Sequence, residues 1–320
     1  MKVFGLHDES GCGFYRIRLP MGELGKNGHE VRFKSGWSEE ARGYPIIVGQ
    51  RMDKHDALPI WRRLKLGSRL VYEIDDDVFN VEEVNWMAHR VYSKPIPQDA
   101  VIHAAQVADL VTVTTEPLAE VMRKHNPNVA VLPNHVPSEL LDIQRPKRDR
   151  LTVGWAGGAS HGLDMALIAA QLRRFLQRHP HVDLHLIGTD YGDTIRHKAR
   201  FTKWDDDVYG YYRNIDFDIG LAPLTGSVFN RSKSAIRCLE LAALGIPVIA
   251  SDVEPYRDFV IDGVTGYLAR HEHEWFKRLR ELANDEAMRS SMGSKAREAA
   301  RNWTIDNGYR LWEQAYQGLL

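Results

Sequence analysis

The sequence predicts an α/β protein built as two Rossmann-like halves, each a parallel sheet covered by helices. Three observations predict it. Short apolar runs alternate with helical patterns, a polar and proline-bearing stretch interrupts the alternation once, and 320 residues suit two domains of ordinary size.

The first series of strands is expected at Met1–His7, Val31–Lys34, Ile46–Gly49, Arg69–Ile74, Leu110–Thr114 and Val129–Leu132. Each is a short apolar run bounded by polar or turn-forming residues. From Val136 to Arg150 the chain turns polar and carries Pro137, Pro146 and the charged run Lys147–Arg150, which reads as a linker. The expected domains are therefore 1–145 and 146–302. A second series follows at Leu151–Ala156, Val182–Ile187, Ile219–Ala222, Pro247–Ala250 and Gly266–Leu268, with helices such as Leu163–Arg178, Val208–Arg213 and Ala235–Leu244 between them. In the last segment, 303–320, Tyr309, Trp312 and Tyr316 are spaced by three and then four residues and should form one aromatic helix face.

Composition excludes several classes. Lys+Arg at 42 against Asp+Glu at 43, with 43% hydrophobic residues, fits a soluble globular protein and not a disordered chain or a polybasic nucleic-acid arm. Cys12 and Cys238 cannot build a disulfide framework or a cysteine zinc cluster, and fit a reducing cytoplasm. The start MKVFGLH reads as a strand, not a signal peptide. No run approaches the roughly 20 apolar residues of a membrane span, so membrane contact would be peripheral.

Several motifs carry chemistry. The loop Thr225–Lys233 opens a helix whose N-terminal N–H groups suit a diphosphate. Lys233 and Arg237 should lie one turn apart on one face, and Glu240 falls three residues beyond Arg237 on that face. Cations there can neutralise phosphate, and a carboxylate accepts from vicinal ribose hydroxyls. The plain alternative is a solvated salt-bridge row. Gly154–His161 reads as a strand, a glycine loop and a helix start, in which Gly157, Gly158, Ser160 and His161 would bring backbone N–H groups to a phosphate; a purely structural turn is the alternative. Asp75 and Asp76 follow a strand and could be acceptor-facing carboxylates, a metal site or a solvated cap, of which the acceptor role is favoured. Asp205–Asp207 reads as a helix N-terminus. None of the 14 histidines falls in a metal-binding spacing, and no metal is expected. Arg62–Lys65 reads as a solvated helix face.

The stretch Asn230–Tyr256, with its helix Glu240, the turn Gly245-Ile-Pro247 and the strand ending Ala250-Ser251, followed by Asp262–Gly266, resembles the donor-binding domain of retaining GT-B glycosyltransferases. These are the family-four-like, group 1 enzymes. The opening loop Glu9–Arg18 and Gly28-His-Glu-Val31 resemble the first domain of the same group. The resemblance implies two Rossmann-like domains facing an interdomain cleft, with a C-terminal helix, 303–320, crossing back to the N-terminal domain, so that deletion after Asn302 should loosen the domain pairing. It also implies metal-independent transfer of a sugar, with retention, from a nucleotide-diphosphate donor to an acceptor hydroxyl. A UDP-sugar is favoured over a GDP-sugar, and no prosthetic group is needed.

By the same resemblance Lys233 and Arg237, aided by Asp75 and Asp76, would act in catalysis. Gly157, Gly158, Ser160, His161, Trp204, Asn230, Ser232 and Glu240 would hold the donor. Gly11, Gly13, Tyr15, Arg16 and His135 would face the cleft and the acceptor. Trp204 sits where the group holds the base, though an indole there could equally be packing. Two departures stand out: Ser232 occupies the position of a usual donor-contacting Glu, and Ser160 and His161 stand where Arg and Lys are common. A nucleotide-sugar epimerase on this fold and a non-catalytic binding module are the competing functions. The acceptor is open among saccharide, lipid, protein, small molecule and modified DNA base, and the oligomeric state is open too.

Overall fold

The computed structural model describes residues 1–9, 11–83, 85–146 and 148–320. Ser10 of the opening loop and Lys147 of the expected linker lie outside the described residues. The chain forms two compact units. One comprises Met1–His135, Ser232–Ser234 and Ile305–Leu320; the other comprises Val136–Arg231 and Ala235–Thr304.

In the first unit β1 (Lys2–His7), β2 (Glu30–Ser35), β3 (Ile46–Gln50), β4 (Arg69–Glu73), β5 (Leu110–Val113) and β6 (Val129–Val131) make one parallel sheet in the order β2-β1-β3-β4-β5-β6. All six lie on the expected runs. Side chains alternate between the two faces. Phe4, Ile47, Leu70 and Tyr72 pack with Trp61 and Ala104 in one buried cluster, while Val3, Ile46, Val48 and Val71 pack with Ile17 and Met21 in another. Runs buried on both sides read as continuous apolar segments, which is why they are visible in the sequence. The chain order reverses between β1 and β3, and in open α/β sheets ligands bind beyond the strand ends at such a reversal.

The last segment completes the second of these clusters. It forms two short helices, Ile305–Gly308 and Arg310–Gln317, instead of one. Trp312 and Tyr316 are fully buried beside Val3 and Met21, with Tyr309 packed at the edge. The aromatic spacing therefore does form one face, and that face completes the core of the first unit.

In the second unit β7 (Thr152–Gly157), β8 (Asp183–Gly188), β9 (Arg200–Lys203), β10 (Ile219–Ala222), β11 (Val248–Ser251) and β12 (Gly266–Ala269) form a parallel sheet ordered β12-β11-β10-β7-β8-β9. The reversal falls between β7 and β10. Trp155, Leu186, Leu221 and Ile249 pack against Ile168, Leu172 and Phe175 of the helix Gly162–Arg178. The strand β9, Arg-Phe-Thr-Lys, is absent from the sequence reading because it is a short, polar edge strand. Among the described residues no helix is long and apolar enough to cross a membrane.

One expectation is corrected here. The segment after β10 forms a short helix at Val228–Arg231, the chain leaves helical geometry, and a second helix runs Ile236–Ala243. Lys233 therefore precedes the helix that carries Arg237 and Glu240, and does not share its face. Serines at 232 and 234, which favour caps and turns over helix interiors, flank it.

Candidate active site

The loops at the β7/β10 reversal bring together most residues of the expected donor site. Beyond β7 the chain runs through Gly157 and Gly158 into the turn Ala159–His161 and then the helix Gly162–Arg178. A Cβ on Gly157 would stand 2.6 Å from the Trp155 ring and 2.7 Å from Arg237 Nη2. Only glycine lets the Arg237 guanidinium lie against this loop. Arg237 donates through Nε to the carbonyl of Ala156 at 3.0 Å and through Nη2 to His161 Nε2 at 3.0 Å, and sits 5.2 Å from the centre of the Trp155 ring.

Because a guanidinium can only donate, the Arg237 contact leaves His161 Nδ1 as the donor to Asp164 Oδ2 at 2.7 Å. The other Asp164 oxygen accepts from the backbone N–H of Thr225 at 2.7 Å and from Asn230 Nδ2 at 3.3 Å. Burial works against the charge on Asp164, but the His161 hydrogen bond, the Thr225 N–H and the nearby Arg237 outweigh it and hold its carboxyl below the usual range. One carboxylate thus ties the β7 loop to the β10 loop. Asp164 escaped the sequence reading, although its position three residues after His161, in the first helical turn, was a usable signal.

A second group lies toward β8. Trp204 is 45% exposed and stacks on Tyr211, with ring centroids 4.9 Å apart and planes 30° from parallel. Gly188, at φ +90°, places no side chain beneath the indole, where a Cβ would meet Trp204 at 3.0 Å. Tyr211 is buried, and its hydroxyl donates to Glu240 Oε2 at 3.2 Å. Burial raises the Tyr211 phenol well above its ordinary value, and the Glu240 carboxylate raises it further, so it remains a donor. Glu240 is only 7% exposed and belongs to the helix Ile236–Ala243. Asp207 caps the helix Val208–Asn214 by accepting from the N–H groups of Tyr209 and Gly210, as expected for the Asp205–Asp207 run.

Several expected ligands also make contacts within the fold. Asn230 is buried and its amide nitrogen bonds Asp164 and, at 2.8 Å, Thr225 Oγ1, so it braces the loop. Ser160 is half-buried on its turn, and Gly158 is exposed with its carbonyl accepting from the Tyr191 hydroxyl at 3.2 Å. Ser232 is buried in the first unit, its carbonyl bonded by Thr115 Oγ1 at 2.8 Å.

In the first unit Arg16 corrects the sequence reading most clearly. It is 1% exposed and grips Glu73 through two bonds of 2.7 and 3.1 Å, with Nη1 donating to Leu132 O and Asn134 Oδ1. A guanidinium so used is a strut between strands, and sequence gave no sign of a partner 57 residues away. His135 is likewise buried, its ring 5.5 Å from that of Trp312 and beneath Gly308, so it packs the terminal helices instead of facing a ligand. Burial lowers its imidazole pKa.

Gly13 is buried, with its N–H bonded to Asp8 Oδ1 at 3.2 Å and no room for a Cβ beside the Asp8 carbonyl. Gly11 has open space around it, and Tyr15 is half-buried edge-on to Phe14. Asp75 and Asp76 are joined by Arg51, at 2.7 and 2.8 Å, and Asp76 also pairs with Lys233 at 3.3 Å.

The comparisons with known proteins agree with this architecture. Residues 150–285 match the family described as Glycosyl transferases group 1. No curated protein matches the chain in sequence. Among solved structures, sucrose-phosphate synthase from Thermosynechococcus elongatus is similar with a TM-score of 0.68 at 15% identity, over 100% of this chain and 99% of that one. HepE of Anabaena, in complex with UDP-glucose, gives 0.69 at 14% identity over 100% and 99%. A glycosyltransferase from Rickettsia africae gives 0.70 at 10% identity over 99% and 98%. On the structural likeness the fold is GT-B. Over residues 150–285 the chain is similar to the group 1 glycosyltransferases.

Proposed function

We propose that the protein transfers a sugar from a UDP-sugar to an acceptor hydroxyl, with retention of configuration and without a metal ion. The second unit supplies the donor site and the first the acceptor site. The observation that carries this reading is the arrangement at the ends of β7, β8 and β10. An exposed indole, a buried carboxylate and a guanidinium held at a glycine loop follow one another there. They match in kind a base, a ribose and a diphosphate, and the HepE structure holds UDP-glucose on the same fold.

In this reading Trp204 stacks on the uracil. Glu240, oriented by Tyr211, accepts from the ribose hydroxyls. The diphosphate meets the Gly157–His161 loop, the N-terminus of the helix Gly162–Arg178 and Arg237. As the glycosyl bond breaks, charge grows on the leaving phosphate, and preorganised donors and cations stabilise it there. The acceptor hydroxyl proton passes to the leaving phosphate as the new glycosyl bond forms on the same face of the sugar. Cys12 and Cys238 are unpaired, which suits a reducing cytoplasm.

The test is donor binding. UDP and UDP-sugars should raise the melting temperature and quench Trp204 fluorescence in excess chelator, since a ligand bound only by the folded state adds stability. Failure of every UDP compound to do either would remove the proposed donor.

A further inference from the structure

The first unit contains a cavity of about 560 Å³ at the carboxyl ends of β1, β2 and β3, lined wholly by that unit. Asp8 comes from the end of β1, Trp37 from beyond β2, Gln50, Arg51 and Asp53 from the end of β3, and Tyr92 from the helix Trp86–Tyr92. This is the β1/β3 reversal of the sheet, the place where an open α/β sheet takes a ligand, and the volume suits a small-molecule site.

Two features inside it point to a ligand. Gln50 is 5% exposed; its Oε1 accepts from the N–H of Asp8 at 3.3 Å, while its Nε2 is buried with no partner. A buried N–H donor left unmade is costly, and a ligand oxygen would satisfy it. Next to it Arg51 holds φ +47°, a left-handed conformation unfavourable for a side chain of that size, which concentrates at ligand sites. The Arg51 guanidinium is committed to Asp75 and Asp76, so it braces the wall.

The lining specifies the ligand. Asp53 receives the Tyr92 hydroxyl on one oxygen at 2.6 Å, and its second oxygen can accept from a ligand hydroxyl. With Arg51 engaged, Asp8, Asp53 and Asp56 outnumber the lining cation Lys54, which disfavours an anionic ligand. A hydrocarbon chain set against carboxylates would leave them desolvated. A sugar ring fits: its C–H face packs on an aromatic ring such as Trp37, and its hydroxyls pair with an amide and a carboxylate.

Resting on the glycosyltransferase reading above, we propose that this cavity is the acceptor site and that the acceptor is a neutral saccharide, with Gln50, Asp53 and Trp37 as its recognition residues.

The test uses the full chain saturated with UDP and a panel of methyl glycosides and disaccharides of glucose, galactose, mannose and N-acetylglucosamine, observed by ligand-detected NMR. Gln50→Glu keeps the acceptor that bonds Asp8 and removes the amide donor, and Asp53→Asn removes the carboxylate; thermal melts check that both fold. The expectation is that members of the panel bind and that each variant weakens them roughly tenfold. Trp37→Ala, with Trp37→Phe should it fail to fold, is expected to abolish or shift the preference. UDP binding with no saccharide bound, or saccharide binding unchanged in the Gln50 and Asp53 variants, would overturn the acceptor assignment alone. Failure to bind UDP at all would strike the donor reading instead.

Discussion

Tyr211 donates a hydroxyl hydrogen bond to Glu240 at 3.2 Å while its ring backs Trp204 at 4.9 Å. One buried side chain therefore sets both the exposed indole and the buried carboxylate, the two groups proposed to hold the nucleoside. Tyr211→Phe keeps the stack and deletes the hydrogen bond, so UDP affinity should fall by about 0.5–1.5 kcal/mol. Tyr211→Ala should cost more, because the indole loses its support. Calorimetric titration with UDP checks this, and equal affinity in all three proteins would detach the pair from nucleotide binding.

Arg237 and Glu240 share a helix and, in the proposed site, are assigned different parts of the donor. Arg237→Ala should slow the chemical step by about 2–4 kcal/mol of barrier, comparable to losing one preorganised donor. Arg237→Lys should not restore it, since an ammonium cannot bond Ala156 and His161 in the geometry of a planar fork. Single-turnover rates with saturating donor separate this from a binding defect.

Much of the fold was legible because the inner strands of both sheets are buried on two faces and appear as unbroken apolar runs, which the polar edge strand β9 does not. What could not be read was set by tertiary partners. The sequence shows Arg16 in a loop that resembles the opening loop of the group's first domain, but not the Glu73 that buries it. That Arg237 and Glu240 share one helix, and that Gly157 and Gly158 lie between a strand and a helix start, was legible from spacing; that Lys233 lies outside that helix was not. Asp164 and Tyr211 were not, because their meaning lies in contacts with Thr225 and Glu240 that the fold alone creates.

Acid stability should depend on Asp216, at the opposite end of the second sheet. Burial opposes its ionisation, but His185, Arg200 and Arg148 hold it at about 2. A folded pKa below the unfolded value of about 3.9 means that its stabilisation is complete above that value and is lost as pH falls toward 2. Thermal melts between about pH 2 and 4 should show a steep decline that Asp216→Asn flattens, with the variant less stable at neutral pH. Parallel curves would contradict the assignment.

Trp312 is fully buried with Val3, Met21 and Tyr316 in the first unit. Trp312→Ala should destabilise that unit by about 3–5 kcal/mol, as expected for a large cavity in a core. Chain ending at Asn302 should do at least as much damage. Denaturant titration of both proteins measures it, and unchanged midpoints would show that the terminal helices contribute no stability.

The central claim is sugar transfer from a UDP donor, and the most direct measurement is UDP released from UDP-sugars with and without the saccharide panel, in excess chelator, by the native protein and by Glu240→Gln. Release should depend on a saccharide, survive the chelator, and fall in Glu240→Gln mainly through donor binding weakened by roughly 1–3 kcal/mol. No UDP released from any donor with any acceptor, or release by Glu240→Gln equal to the native rate at limiting donor, would contradict it.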